Sequence, residues 1–236
     1  MKRVTTRKHF AIFDNMVSAQ PPLTHIVAAT AKNGIGRNGG LPWPMLKKEM
    51  AYFARVTKRV PSSFERKGGN SELQNVVVMG RKTWESIPPK FRPLKDRTNL
   101  IISRQSVDAF GPPHQDVVVA SSIEKGLHAL SARSSDSTLK PSGRVFIIGG
   151  GSIYDAALKL PNEQNILLTR VFNHYDCDTD FPIDLDGAEE QNRVWSRRSH
   201  EQLQDFVGEQ LNDGDVEEKA GDEVVKFRYF LYQKKA

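Results

Sequence analysis

The 236-residue sequence has few of the features that mark secreted, membrane-spanning or repeat proteins. Its single cysteine, Cys177, rules out an internal disulfide framework and is typical of a reducing compartment. No apolar run approaches the roughly 18 residues that a membrane-spanning helix needs. The sequence also contains no internal repeat and no clean linker. These absences predict a soluble, cytoplasmic protein of one domain, and 38% hydrophobic residues suffice for a sizeable core.

The net charge of +6 is distributed unevenly along the chain. Residues 201–223 carry nine acids against one lysine, so the remainder of the chain is strongly basic. A basic body favours an anionic partner. Because no basic run is interleaved with aromatic residues, we expect small anions rather than a nucleic acid. A basic nucleic-acid-binding protein stays open as an alternative, and it would show salt-dependent binding to any duplex.

The first 22 residues are basic, but their apolar runs are too short for a secretory signal. We interpret residues 1–22 as a disordered extension, with a mitochondrial presequence as the alternative. Residues 23–236 form the predicted domain, and two polar segments near 133–143 and 205–223 are interpreted as surface inserts.

Short β-rich runs alternate with helical segments along this domain. The apolar runs lie at residues 25–31, 75–80, 99–103, 116–120, 144–150 and 165–171. Helical segments are predicted at 45–57, 81–86, 122–132 and 152–160. This alternation predicts an α/β fold with a mainly parallel sheet. The terminal "VVKFRYFLYQKK" alternates in character and predicts an antiparallel edge strand.

One carboxylate lies where the helical pattern predicts a buried face. In the helix near 45–57, Leu46, Met50 and Phe53 form an apolar stripe, and Glu49 falls on the same stripe. No basic residue lies three or four positions away to pair with it. Charged side chains are almost never fully buried without a partner, so Glu49 is a candidate functional residue, with a structural ion pair as the alternative.

Three strand ends combine glycines, hydroxyls and cations. "VFIIGGGSIY" has three glycines between a buried strand and a helix, although it matches neither G-x-G-x-x-G nor a P-loop. Arg81, Lys82 and Thr83 follow a second strand, and Ser103 with Arg104 follows a third. Ligands of open α/β sheets bind at such ends, and cations there suit a 2′-phosphate. The pattern predicts NADP(H) rather than NAD, whereas the glycines alone would fit a tight turn equally well.

The loop "NGIGRNGGLPWP" at residues 33–44 contains four glycines and two prolines, and no regular element can form there. It connects the first strand to the helix of Glu49. We expect it to cover whatever binds beside Glu49, although a plain connector remains the alternative.

Taken together, these segments resemble the dihydrofolate reductase family. The matching blocks occur in the family's order and spacing: "IVAATAKNGIGRNGGLPWP", Glu49 with Phe53, "VVVMGRKTWESIP", "RPLKDRTNLIISR", "FIIGGGSIY", "LLTRV" and "DTDFP". The resemblance implies a single domain with a mainly parallel eight-stranded sheet and helices on both faces. The pattern of inserts is similar to that of eukaryotic members, with fungal members as one candidate group.

The resemblance also implies roles for particular residues. Glu49 would bind the 2-amino group and the adjacent ring nitrogen of the pterin, Trp43 would order a water, and Thr169 would support Glu49. Arg97 would pair with the α-carboxylate of the substrate's glutamate tail. The implied catalytic set is Leu41, Trp43, Glu49, Tyr154 and Thr169. The implied substrate contacts are Ile26, Val27, Ala28, Glu49, Met50, Phe53, Ser86, Ile87, Leu94, Arg97, Ile148 and Thr169.

The implied cofactor is NADPH, with hydride transfer to dihydrofolate. The residues implied to hold it are Ala28, Ile35, Gly80, Arg81, Lys82, Thr83, Ile102, Ser103, Arg104, Ile148, Gly149, Gly150, Gly151, Ser152, Ile153 and Tyr154. The Gly149–Gly150 peptide is expected to be cis, with Arg92–Pro93 a second candidate. The family further implies a monomer that binds antifolate inhibitors and needs no metal, nucleic acid or membrane.

The sequence departs from the family pattern at three positions. Met50 lies where many vertebrate members have phenylalanine, and Gly40 replaces an acidic or amide residue before Leu-Pro-Trp. Ser121 lies where an arginine often contacts the 2′-phosphate. Two alternatives stay open, a pyrimidine or pterin reductase of the riboflavin-pathway type and a non-catalytic NADP-binding protein. The combination of Glu49, Trp43 and Arg97 argues against the first.

Overall fold

The computed structural model describes residues 20–60, 73–135, 140, 142–186 and 194–235, and residues 133–135 are described in their backbone alone. The predicted extension of residues 1–22 therefore lies almost entirely outside the described residues. Five of the eleven residues in the predicted insert near 133–143 lie outside them as well, namely 136–139 and 141.

Eleven strands lie in the described ranges, and nine of them form one sheet. The strands are β1 (Leu23–Thr30), β2 (Gly34–Gly36), β3 (Gln74–Gly80), β4 (Thr98–Ile102), β5 (Val117–Ala120), β6 (Ser142–Gly149), β7 (Glu163–Val171), β8 (Thr179–Asp180), β9 (Trp195–Arg197), β10 (Val216–Ala220) and β11 (Glu223–Lys234).

Five α-helices and two short 3-10 helices lie in the same ranges. The α-helices are α1 (Lys47–Lys58), α2 (Arg81–Ser86), α3 (Ile123–Ser135), α4 (Gly151–Leu158) and α5 (His200–Val207), and the 3-10 helices are Pro89–Phe91 and Val107–Phe110. The first four helices lie within three residues of the bounds predicted from the sequence, whereas α5 was not predicted.

The strand order of the main sheet is β10-β11-β7-β1-β6-β3-β4-β5, and β9 pairs with β11. Strands β7, β1, β6, β3, β4 and β5 are parallel, and β11 is antiparallel to β7. The predicted fold class is confirmed, with one short strand more than the eight expected. Because the parallel strands share one direction, the ends of β1, β3, β4 and β6 meet at the same edge of the sheet.

Helices cover both faces of the sheet, and alternate residues of each strand enter separate cores. Helices α3 and α4 pack on one face, where Val27, Val78 and Ile147 are buried. Helices α1, α2 and α5 pack on the other face, over Ile26 and Phe146. Strands buried on both faces are nearly continuous apolar runs, and for this reason they could be predicted from the sequence.

The interpretation of residues 205–223 as a surface insert is wrong. Its acidic part, residues 216–220, is β10, and the last strand, β11, is therefore not the outermost strand on its side of the sheet. Glu218 and Ala220 are buried while their neighbours are exposed, and Gly221 at φ +63° turns the chain into β11. The acidic composition conceals a half-buried strand with side chains alternating between two environments.

Candidate functional site

The carboxylate of Glu49 lies on the buried face of α1. Glu49, Tyr52 and Val56 are buried at helical spacing, and Glu49 is 7% exposed. This position confirms that Glu49 lies on the buried stripe. Met50 is different, because 43% of its surface is exposed, so it does not belong to the buried part of that stripe.

Within the described residues, the hydrogen bond to Glu49 comes from an uncharged donor. The hydroxyl of Thr169 in β7 donates to Glu49 Oε1 over 3.2 Å. Burial raises the pKa of Glu49 to about 7, with the Thr169 hydrogen bond opposing this and the Glu218 carboxylate adding to it. The carboxyl is therefore poised to change protonation state near neutral pH, a property that often marks functional sites.

Two of the predicted site residues in the loop between β1 and α1 differ in their exposure to solvent. Trp43 is buried with Leu46 against β11 and packs near Tyr175, with ring centroids 6.0 Å apart and ring planes tilted by 59°. Leu41, by contrast, is 54% exposed. The loop thus anchors α1 through Trp43 while Leu41 faces solvent.

The glycine-rich part of this loop is held by the segment around β8. Strand β2 pairs with β8, and the Asp178 amide donates to Gly36 O over 2.9 Å. Asp178 Oδ2 accepts from the Asn38 amide over 2.7 Å. The bond from the Asn38 backbone amide lowers the pKa of Asp178 most strongly, and a bond from the Thr179 hydroxyl lowers it further. The carboxylate is therefore ionised at neutral pH and fixes the conformation of the loop.

Five of the predicted substrate contacts come together beside α1. Ile26 is buried in the core on this face, and Phe53, Ile87, Leu94 and Ile148 are half-buried against the same core. They come from β1, α1, β6 and the segment after α2. Together they form an apolar wall on the face of the sheet that α1 covers, the helix that bears Glu49.

Other predicted contacts are not all part of this wall. Val27 packs in the core of the opposite face, so its side chain is not brought to Phe53. Ala28 is half-buried against the cluster that contains Trp43. Ser86 is exposed at the end of α2, where its hydroxyl donates to Thr83 O over 2.7 Å.

The guanidinium of Arg97 is buried and held by uncharged acceptors. Nη1 donates to Thr57 Oγ1 over 2.8 Å, and Nε donates to Lys95 O over 3.0 Å. Burial lowers the pKa of Arg97 to about 10, which leaves it charged at neutral pH. A buried, oriented guanidinium is suited to a carboxylate ligand.

Tyr154 connects the glycine turn to the strand that lines the wall. Its hydroxyl donates to Ile26 O over 3.0 Å, and its buried ring packs between His25 and Phe181. A Cβ added to Gly149 would lie 3.2 Å from the ring. Burial raises the pKa of Tyr154, with the Glu49 carboxylate contributing, so the phenol stays protonated.

The three glycines where β6 ends and α4 begins, Gly149 to Gly151, form a close-packed turn. The Gly149–Gly150 peptide is cis, as expected, and so is Arg92–Pro93. Gly149 has φ +113°, and a Cβ on Gly151 would lie 3.1 Å from Thr179 Cγ2. Gly80, at the end of β3, approaches Ile153 so closely that a Cβ would lie 3.0 Å from its Cγ1. Side chains at these positions would fill the turn. Because glycine has no side chain, the backbone stays accessible, which fits a phosphate-bearing cofactor.

The remaining predicted cofactor residues surround this turn or follow neighbouring strands. Ile35 and Ile153 are buried, Ile102 is half-buried against the same core, and Ser152 is exposed. Thr83 Oγ1 would lie 3.4 Å from a Cβ on Gly150. Ser103 Oγ accepts from the Gln105 amide over 3.0 Å.

The three cations at the strand ends are not equivalent. Lys82 and Arg104 are exposed, but the guanidinium of Arg81 pairs with the Glu85 carboxylate over 2.8 Å. Exposed pairs at i, i+4 are worth only a few tenths of a kcal/mol. The pair therefore leaves Arg81 able to turn towards an anionic ligand.

Sequence reasoning missed three residues that support the site. Glu218 accepts from two amides at the start of α1, Thr57 holds Arg97, and Asp178 holds the loop. Each lies far along the chain from the group that it contacts, so local periodicity gave no signal. For Asp178 a signal did exist, because it begins the "DTDFP" block that matches the family, although the match assigned no role to this residue.

In the part of the chain that the structure describes, no group of three or more His, Cys, Asp or Glu side chains could hold a metal ion. Among those same residues, no helix is long and apolar enough to cross a membrane.

Comparison with known proteins gives consistent matches. The family model described as dihydrofolate reductase matches residues 22–207. The chain is 39% identical over 207 residues to the dihydrofolate reductase of Pneumocystis carinii, covering 87% of this chain and 95% of that protein. It is 39% identical to that of Schizosaccharomyces pombe over 90% of this chain, but it spans only 46% of that longer protein.

A mammalian relative and a solved structure of the same family also match the chain. The dihydrofolate reductase of Rattus norvegicus is 35% identical over 91% of this chain and 98% of its own length. The solved structure of Schistosoma mansoni dihydrofolate reductase aligns with a TM-score of 0.67 at 29% identity, covering 92% of this chain and 100% of that one.

Proposed function

The chain belongs to the dihydrofolate reductase family, and from this premise we propose that it reduces 7,8-dihydrofolate to 5,6,7,8-tetrahydrofolate with NADPH as the cofactor. The product would support thymidylate, purine and one-carbon metabolism. A cytoplasmic monomer that binds antifolate inhibitors in place of the substrate is part of the same proposal.

The observation that carries this proposal is the buried carboxylate of Glu49. Its neighbours are a hydroxyl and an apolar wall, and its pKa lies near 7. A carboxylate in such a place favours a ligand that offers two adjacent N–H donors. The 2-amino group and the neighbouring ring nitrogen of a pterin provide that pair, and the bonds would be charge-assisted.

Other residues of the chain would place the substrate. Phe53, Ile87 and Leu94 would contact the pteridine and aryl rings, and Arg97 would bind the α-carboxylate of the glutamate tail. The hydroxyl of Thr169 would keep Glu49 oriented, and buried Trp43 would order a water beside the pterin. Excluding solvent strengthens each polar interaction within the site.

The glycine turn and the strand-end cations would hold the cofactor. When bound, NADPH would supply the hydride from nicotinamide C4 to pterin C6, and pterin N5 would take a proton. The backbone of Gly149, Gly150 and Gly151 would face the cofactor, with Tyr154 packed behind it. Thr83 and Ser103 would donate to its phosphates, and Arg81, Lys82 and Arg104 would pair with the 2′-phosphate.

The direct experiment follows NADPH absorbance with dihydrofolate as substrate. Purified, folded protein is expected to oxidise NADPH only when dihydrofolate is present. An absence of oxidation under these conditions would refute the proposed reaction.

The cofactor preference is tested separately from the reaction. Replacing Arg81, Lys82 and Arg104 together by alanine is expected to weaken NADPH binding far more than NADH binding, since only NADPH has the 2′-phosphate. A variant that still discriminates between the two cofactors would show that other groups recognise the phosphate.

A further inference from the structure

Helix α1, which bears Glu49, begins without a capping side chain of its own. Its N-cap residue is Leu46, which cannot accept a hydrogen bond through its side chain, and Pro44 and Met45 precede it. The first N–H groups of a helix have no partner within the helix. The amides of Lys47 and Lys48 therefore need an acceptor from elsewhere in the chain.

Glu218, in the middle of β10, provides that acceptor. Its Oε1 accepts from the Lys47 amide over 2.6 Å, and its Oε2 accepts from the Lys48 amide over 2.9 Å. The side chain is 8% exposed, so the contact is largely shielded from water. A cap that usually comes from the preceding residue is supplied here from about 170 residues further along the chain.

Two further contacts fix β10 against the start of α1. Lys48 Nζ donates to Glu217 O over 2.8 Å. Ala220 is buried in the cluster that contains Trp43 and Leu46. The acidic segment is therefore part of the support of the site rather than a solvated loop.

Glu218 also acts electrostatically on Glu49, which follows the two capped amides directly. The other titratable side chains that couple to Glu49 come from α1, α4 and β11, and burial raises the pKa of each, so they are neutral at pH 7. These three are Tyr52, Tyr154 and Tyr229. Among the described residues that couple to Glu49, Glu218 is the one with a carboxyl side chain, and it raises the pKa of Glu49.

We propose that Glu218 is a positioning residue for the site, which fixes the first turn of α1 and places a carboxylate at the start of the helix that bears Glu49. A nearby negative charge disfavours ionisation of a carboxyl group. In addition, a carboxylate that binds the first amides offsets the positive end of the helix dipole, which would otherwise favour ionised Glu49. Both effects act in the same direction. The functional meaning of this role rests on the proposed function, whereas the electrostatic role does not.

The test is the titration of Glu49 in the ligand-free protein, followed by NMR of carboxyl-labelled glutamate. Glu218→Gln is expected to lower the pKa of Glu49 by about half a unit or more, because the charge is lost. Glu217→Gln is the matched control, since it removes an exposed charge from the adjacent position of the same strand. It is expected to shift the titration by less than about 0.2 units.

A conservative variant separates charge from general damage to the fold. Glu218→Asp keeps the charge, so Glu49 is expected to titrate closer to the wild-type midpoint than in Glu218→Gln. This variant also serves if the glutamine variant does not fold, and a drop of half a unit or more in Glu218→Asp would then overturn the proposal. A Glu49 midpoint that is unchanged in folded Glu218→Gln would overturn it as well.

The pH profile of turnover connects this role to catalysis. The limb that reports Glu49 is expected to move to lower pH in Glu218→Gln, together with the NMR midpoint. If the midpoint moves and the wild-type protein nevertheless reduces no dihydrofolate, the proposed function fails and the electrostatic role stands. If the midpoint does not move in an active enzyme, the role of Glu218 fails and the function stands.

Discussion

At the scale of single residues, the packing of Glu49 can be kept while its ability to ionise is removed. Replacing it by glutamine keeps its size and keeps an oxygen that can accept from Thr169. The amide cannot take up or release a proton, and it has no negative charge to strengthen the hydrogen bonds from the pterin. We therefore expect Glu49→Gln to fold normally and to lose at least about 100-fold in turnover.

The measurement is steady-state NADPH oxidation beside circular dichroism. Glu124→Gln is the control, because Glu124 is an exposed acid in the first turn of α3. It is expected to leave turnover unchanged. Retained turnover in Glu49→Gln would show that the carboxylate has no essential part in the reaction.

Thr57 illustrates a residue whose role is to orient another. Its hydroxyl donates to Phe53 O over 2.7 Å and accepts from Arg97 Nη1 over 2.8 Å. Thr57→Val keeps the shape but leaves the buried guanidinium short of an acceptor, at a loss of about 1 kcal/mol in stability. We expect KM for dihydrofolate to rise several-fold with little change in kcat.

The control for this variant is a pterin ligand without the glutamate tail. Such a ligand does not use Arg97, so its affinity is expected to be the same for wild type and Thr57→Val. Equal weakening for both ligands would mean that the substitution damages the whole pocket and not the orientation of Arg97.

At the scale of elements, the loop between β1 and α1 depends on one acceptor outside it. Asp178→Ala removes the acceptor of the Asn38 amide, and the loop would then sample more conformations. We expect turnover to fall about three- to tenfold with little change in Tm, since the contact is exposed and solvent-excluding loops often control turnover. Stopped-flow kinetics and thermal melts measure the two quantities.

Asp176→Ala is the matched control for the loop. Asp176 is also an exposed acid of this segment, but its contact with Arg37 Nη1 is long, at 3.4 Å. Little change in turnover is expected. If both variants lose turnover equally, the effect comes from the charge of the segment rather than from the bond to Asn38.

The elements that the sequence predicted well are those whose environment is uniform. The inner strands are buried on both faces, so β3 and β6 were recognised as apolar runs. Helix α5 was not predicted, although it lies at the start of the acidic segment of residues 201–223. Its signals were present, namely a Ser199–Gln202 capping box, Leu203 and Val207 at helical spacing, and Gly208 in the left-handed region.

The site was predicted to the extent that its residues lie in local motifs. Glu49 was found because a charge on an apolar stripe is visible in sequence. The contacts that support it come from β7 and β10, which are distant in the chain, and only the sheet order brings them together. Val27 was predicted together with Ile26 as a substrate contact, but the two side chains enter opposite cores, since adjacent residues of a strand face opposite sides of the sheet.

At the scale of the whole molecule, the arrangement that suits the ligand opposes stability. The pKa of Glu49 is raised from 4.5 to about 7, so the folded, ligand-free protein binds a proton that the unfolded chain releases. The contribution of Glu49 to the free energy of unfolding is fully present below pH 4.5 and is lost as the pH rises through 7. Above that range the loss is about 3 kcal/mol.

Glu49→Gln should remove this dependence, because an amide does not ionise. We expect the ligand-free variant to be more stable than wild type at pH 8, and its advantage to grow by about 2 kcal/mol between pH 5.5 and pH 8. Urea unfolding of both proteins at the two pH values gives the difference, in which the contributions of other titrating groups cancel. An advantage that is the same at both pH values would mean that Glu49 is already ionised at pH 5.5, and that burial does not hold its proton.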